Sequence, residues 1–152
     1  MRSLAVLCAL VALAACDDVH HVDARYATPE RTLGTLLDAY GLRGRSLAEI
    51  QTLRRTGRVH VRDEAAVRGC FEHYDGAEDE ALAGFVVGVV AEADGSLRTT
   101  MTPGVARVAV GDRATLVLHD HDGAWRIDLP ASVPGRVREG IHQAVMRTQN
   151  ER

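Results

Sequence analysis

Two hydrophobic periods divide the chain. From Pro29 to about Tyr74 the apolar residues return every three or four positions. From Ser96 to Leu129 they alternate with polar ones, and helical spacing comes back after Pro134. The first period is that of a helix face and the second that of a half-buried strand. Thr28-Pro29-Glu30 reads as a helix start, with Thr28 as N-cap, Pro29 in the first position and an acid in the first turn. Leu33, Leu36, Leu37 and Tyr40 then form one stripe, ended by Gly41 or Gly44. Ser46 to Glu49 is a capping box that opens a second helix with Leu47, Ile50 and Leu53 inward, and Gly57 stops it. Residues 58–62 read as a short extended piece or a loop. A third helix is predicted from near Asp63, with Val67, Cys70, Phe71 and Tyr74 as its stripe and Asp75-Gly76 as its end. Behind Glu78-Asp79-Glu80, the run Ala81 to Ala91 is apolar on all sides and predicts a buried helix. A buried strand competes, because four valines and a phenylalanine favour β structure.

The second half predicts a meander. Leu97, Thr99 and Met101 share a strand face, and Pro103-Gly104 turns the chain. Ala106, Val108 and Val110 form the next apolar face, followed by a turn at Gly111-Asp112. Ala114, Leu116 and Leu118 oppose Thr115, Val117 and His119 on a third strand, and Asp122-Gly123 is the second hairpin signal. Trp125, Ile127 and Leu129 line a fourth strand, closed by Pro130 and Pro134. Residues 134–149 predict a last helix with Val137, Ile141, Ala144 and Val145 on one side. Helices followed by an antiparallel meander make an α+β domain: N-terminal helices packed on a four-stranded sheet, with a C-terminal helix.

The first sixteen residues follow neither period. Arg2 precedes an uncharged apolar run, Leu4 to Leu13. That run is too short to span a bilayer, which takes roughly 20 residues, but its length and basic flank suit a cleavable secretory signal. It ends in Leu13-Ala14-Ala15-Cys16, which resembles the lipobox of bacterial lipoproteins. A buried N-terminal helix is the bland alternative, and the abrupt Asp17-Asp18 weighs against it, since it would set two carboxylates against a core. The resemblance implies cleavage before Cys16 and acylation of that thiol. The protein would then be exported and held by lipid on a bacterial membrane, facing the periplasm. The chain divides into a signal peptide over 1–15, a lipidated tether over 16–27 and a single domain over 28–149. Residues 16–152 carry 17 arginines and no lysine against 21 acidic residues, a formal charge of −4. With no basic cluster, nucleic acid is excluded as a partner, and lipid rather than surface charge would hold the membrane. Cys8 leaves with the signal and Cys16 takes lipid, so Cys70 has no disulfide partner and the domain depends on its core.

A second resemblance covers about residues 27–134. Ala27-Thr28-Pro29-Glu30 with Thr32-Leu33 and Leu37-x-Ala39-Tyr40 is similar to the opening helix of nuclear-transport-factor-2-like domains in bacterial lipoproteins. Trp125-Arg126-Ile127-Asp128-Leu129-Pro130, with Ser132-Val133-Pro134, is similar to their last strand and exit. It implies a curved, cone-like sheet wrapped around helices. The C-terminal helix and the run at 81–91 depart from the simplest form of that pattern.

Candidate chemistry is sparse. His119 and His121 stand at i and i+2 in His119-Asp120-His121-Asp122, a spacing found in metal sites, yet also that of a polar hairpin tip. A metal site usually needs three or four convergent ligands, and the sequence offers two there. His20-His21 with Asp23 lies in the tether, which does not preorganise ligands. Cys70 has His73 three residues on, but it belongs to an apolar stripe, where cysteine packs as a small hydrophobe. Tyr40, Asp38 and Asp128 are the candidates for facing a cavity as acid, base or hydrogen-bond donor. Tyr40 also fits the core, and Asp128 lies on the strand face opposite Trp125. No phosphate loop, nucleophile elbow or zinc-protease motif occurs, and no cofactor is implied. The first reading is therefore a membrane-tethered, non-catalytic domain that binds an envelope protein or a small apolar ligand. The second is a small cavity enzyme of the isomerase or dehydratase kind.

Overall fold

The computed structural model describes residues 22–93 and 95–151. The signal segment, Cys16 and His20-His21 lie outside them. Helix α1 (Pro29–Ala39) begins as its sequence dictates: Thr28 is extended and its hydroxyl accepts the Arg31 N–H at 3.2 Å. It ends where Gly41 turns to φ +64°. The Leu42 and Gly41 N–H groups then donate back to Leu37 and Asp38 carbonyls, each at 2.8 Å, a closure that needs a left-handed residue at that point. Helix α2 (Leu47–Arg55) carries the complete capping box of Ser46 and Glu49 and closes the same way at Gly57. Ile50 is buried and Leu53 half-buried, but Leu47 is 45% exposed: at the first position of a short helix it faces water instead of the core.

The third helix is shorter than its stripe predicts. Helix α3 (Glu64–Cys70) stops at Phe71, which is extended and pairs in parallel with Ile127, while the Glu72 N–H donates to the Ile127 carbonyl at 3.1 Å. Phe71 and Tyr74 remain buried and stack with ring centroids 5.6 Å apart. The helical spacing thus carried over a segment that buries the same residues while pairing with the sheet edge. Asp75-Gly76 opens a helix rather than closing one, and Asp75 N–H donates to the Asp79 carboxylate at 2.7 Å.

Helix α4 (Gly76–Glu92) settles the ambiguous run. It touches α1 and α2 and buries Leu82, Ala83, Val86, Val87, Val89 and Val90. A helix satisfies its own backbone when surrounded by apolar neighbours, whereas a strand there would need a partner, and the β preference of valine gives way.

The sheet is an antiparallel meander in the order β1 (Leu97–Thr102), β2 (Val105–Val110), β3 (Ala114–His121), β4 (Ala124–Ile127). Val108 lies opposite Leu116, and Leu118 opposite Ile127. Ala106, Val108, Val110, Leu116, Leu118, Trp125 and Ile127 form its buried face. Met101, on the edge strand β1, is 53% exposed, because the helices do not reach that end of the face. Leu129 is buried but not in β4. The chain turns after Ile127 into the four-residue helix α5 (Leu129–Ser132), where Asp128 is the N-cap and accepts the Ala131 N–H at 3.0 Å. The Ser132 hydroxyl, 2% exposed, takes the Val117 N–H at 2.9 Å, so α5 covers the outer side of β3 and buries Val117 there. Helix α6 (Gly135–Asn150) lies on α4 through half-buried Val137 and Ile141, with His142 Nδ1 3.0 Å from the Glu78 carboxylate; Val145 is half-buried too, while Ala144 is exposed.

The domain also begins earlier than Thr28. Ala24–Tyr26 form a single 3-10 turn capped by Asp23, and Tyr26 is 7% exposed with its hydroxyl donating to the Ala66 carbonyl at 3.2 Å. Its ring occupies the space over Gly69 where any β-carbon would lie 2.3 Å from the phenol oxygen, which explains a glycine inside α3. The end of the expected tether is therefore packed: one aromatic residue in a polar stretch gave no periodicity to detect.

Candidate functional site

A cleft of about 500 Å³ opens between the end of α1, α2, the loop at 58–62, α3 and α4. Its floor is core: Leu42, Ile50 and Val87 are each no more than 3% exposed. Gly84 of α4 keeps one wall low, since a β-carbon there would meet nothing within 4 Å. Tyr40 and Tyr74 bring two phenols into the cleft, and Arg54, His60, Glu64 and Glu80 stand at its rim. Arg54 is held by Glu92, which also binds Arg113. Burial raises the Tyr40 pKa well above the ordinary phenol value, and the neighbouring Tyr74, Glu64 and Glu80 push the same way. Tyr74 is raised by burial and then by the same two glutamates. Both phenols stay protonated near neutral pH, and so serve as hydrogen-bond donors rather than bases.

A second constellation sits on the outer face of the sheet and shares no residue with the cleft. His119 and His121 occupy alternate positions of β3, so their rings emerge on the same side. His119 Nδ1 and His121 Nε2 each lie 2.7 Å from one oxygen of Glu72, Oε1. Asp128 is beside them: Glu72, His119 and Asp128 each offer a ligand atom, all within 4.8 Å of one another. Burial works against ionisation of Glu72, but the hydrogen bonds from His121 and His119 outweigh it and hold the carboxyl below its usual range. A carboxyl lowered in this way adds stability that is present above the ordinary glutamate range and lost as pH falls through the lowered value.

The residues singled out in the sequence are thus separated. Tyr40 reaches the cleft. Asp38 does not: it is exposed and pairs with Arg43 at 2.8 Å. Asp128 is half-buried on the other side of the domain with His119 and His121. Glu72, which joins those two histidines, was not among the sequence candidates. It is 47 and 49 residues distant from them and lay inside a predicted helix. Its only local signal is the acid next to an apolar residue at the point where α3 leaves helical geometry. Cys70 is fully buried; its thiol lies 3.6 Å from the Thr32 carbonyl, and burial pushes it up to about 12. His73 is exposed and not on the same helix. Cys70 is expected to react slowly with thiol reagents in the native protein and rapidly after denaturation. Fast native labelling at neutral pH would contradict its packing role.

Comparison with protein-family models, characterised proteins and solved structures finds no match for this chain. The class the fold and site define is an α+β domain with an open cleft among its helices and a histidine–carboxylate cluster on its sheet. Among the described residues no helix is long and apolar enough to cross a membrane.

Proposed function

We propose that the chain is an exported lipoprotein, anchored through acylated Cys16, whose domain binds a small molecule in the cleft between α2, α3 and α4. The apolar run before Leu13-Ala14-Ala15-Cys16 supports the export and the anchor. The cleft carries the binding reading: its floor is made of core residues, and its volume falls in the usual range for ligand sites, about 300–1,000 Å³. Two phenols over an apolar floor, with Glu64 and Glu80 at the rim, suit a largely apolar ligand bearing an ammonium or another donor group. The resemblance to nuclear-transport-factor-2-like lipoprotein domains agrees with a binding role. The same two carboxylates, set beside Tyr40, favour a second reading, an acid–base enzyme of the isomerase or dehydratase kind.

Gly84→Leu tests the cleft. The side chain enters open space and replaces a mid-helix glycine, so stability should rise by about 0.5–1 kcal/mol. Benzylamine titrated into the wild type should shift tyrosine ring resonances saturably, and the variant should bind at least tenfold more weakly. Equal binding by a more stable variant would place the ligand elsewhere. Conversion of a bound ligand to product, lost on Glu80→Gln, would favour the enzyme.

A further inference from the structure

We propose that Glu72, His119, His121 and Asp128 form a binding site for a first-row divalent cation of zinc's class. Three separate parts of the fold deliver the donors. Strand β3 presents His119 and His121 on one side. After α3 the extended Phe71 pairs with Ile127 and the Glu72 N–H donates to its carbonyl, which places Glu72 beside β4. The turn from β4 into α5 brings Asp128. None of these residues lines the cleft, so the site stands independently of the function proposed for it.

The donor set selects the ion. Two imidazole nitrogens and two carboxylates suit zinc, nickel, cobalt or copper, whereas calcium and magnesium take oxygen ligands. Ligand atoms about 2.0–2.2 Å from a tetrahedral ion lie roughly 3.4 Å from one another. The separations, 2.7 Å from each histidine to Glu72 and up to 4.8 Å among Glu72, His119 and Asp128, bracket that value, and His121 joins the group through Glu72. Small side-chain rotations therefore admit an ion without moving the backbone. The supporting contacts are in place. One Asp128 oxygen is fixed by the Ala131 N–H, and the other has no hydrogen-bond partner among the described residues. The Glu72 backbone is tied to Ile127. Such outer contacts orient ligands for the metal.

Access and charge also fit. The Glu72 side chain is 15% exposed and those of His119 and His121 are 35% and 51% exposed, so the group is anchored at one end and open at the other. Two neutral imidazoles and two carboxylates match the charge of a divalent ion. In the ion-free arrangement each ring directs an N–H at Glu72. Binding moves that proton to the ring's other nitrogen through solvent and leaves a lone pair for the ion, with no redox step. Arg126 stands opposite His119 in the sheet register, and its buried Nε has no hydrogen-bond partner among the described residues. It is the one cation on β4, and its charge opposes a cation at the site, which the two carboxylates must outweigh.

The test uses the full chain in a mild non-ionic detergent, stripped with a chelator and titrated with zinc chloride by equilibrium dialysis. Cobalt(II) in place of zinc reads the coordination through its visible absorption. One equivalent of zinc is expected, with the intense absorption of a four-coordinate cobalt site. His119→Gln, Glu72→Gln and Asp128→Asn should each weaken binding at least tenfold. Asparagine keeps the N-cap of α5, and an unchanged Trp125 emission spectrum verifies folding. The His20→Ala/His21→Ala double variant and His73→Gln should bind as the wild type does. Zinc that is lost with His20 and His21 but retained in the Glu72 and His119 variants would overturn the proposal. So would the absence of binding at micromolar zinc, and the cluster would then be a hydrogen-bonded network alone.

Discussion

Trp125→Ala is expected to destabilise the domain by about 3–5 kcal/mol, the usual cost of removing a buried aromatic side chain. Trp125 is the only tryptophan, 9% exposed, and it shares the inner face of β4 with Ile127. Its neighbours meet there from distant parts of the chain. The buried Thr32 hydroxyl of α1 donates to the Trp125 carbonyl at 2.8 Å, and the 3-10 turn carrying Tyr26 packs against the same strand. Truncation leaves a cavity between rigid elements that cannot collapse into it. A loss of this size is a large part of a typical domain's total of about 5–15 kcal/mol, so the variant should unfold at markedly lower denaturant or partly at physiological temperature. Denaturant titration gives the magnitude. Emission should be blue-shifted in the native wild type and move to the red on unfolding. A cost under about 1 kcal/mol, together with an emission like that of free tryptophan, would make this face a docking surface rather than a core.

The second large effect concerns the anchor. Cys16→Ser should abolish fatty-acid incorporation and leave the uncleaved precursor. Serine offers a hydroxyl where the lipid transfer needs a thiolate, the stronger nucleophile. Acyl anchoring scales at about 0.8 kcal/mol per buried CH2, and stable attachment needs more than one chain, so the unacylated protein should also leave the membrane fraction if it is cleaved. Metabolic labelling with a fatty acid, followed by fractionation, reads both. Label retained in the serine variant would sink the lipoprotein proposal while leaving the cleft and the cluster untouched.

Local signals carried further than their length suggests. Thr28-Pro29 and the Ser46–Glu49 box mark helix starts to the residue, because a cap is a contact between groups three positions apart. The alternation from Leu97 to Ile127 gives the meander and its buried face, because the side of a sheet is decided by odd or even position alone. Exceptions arise where burial depends on what lies opposite. Leu47 and Met101 have the right period but no partner over them among the described residues. Tyr26 has a partner, Gly69, but no period. Phe71 and Tyr74 keep a helical spacing that the backbone abandons in order to pair with Ile127.

The sequence by itself therefore determined the α+β class, the number and order of the main elements, and the burial of Cys70. Each of these follows from neighbours within a turn or from a strict repeat. The sites were decided only in the tertiary structure. Tyr40 and Tyr74 face one cleft because α3 ends early and α4 turns its Gly84 toward them. His119 and His121 acquire Glu72 because Phe71 and the Glu72 N–H dock on a sheet edge that forms some fifty positions later in the chain. Such convergence has no period and no fixed spacing. It is selected by the free energy of packing the whole core, which places side chains together without their sequence positions recording it.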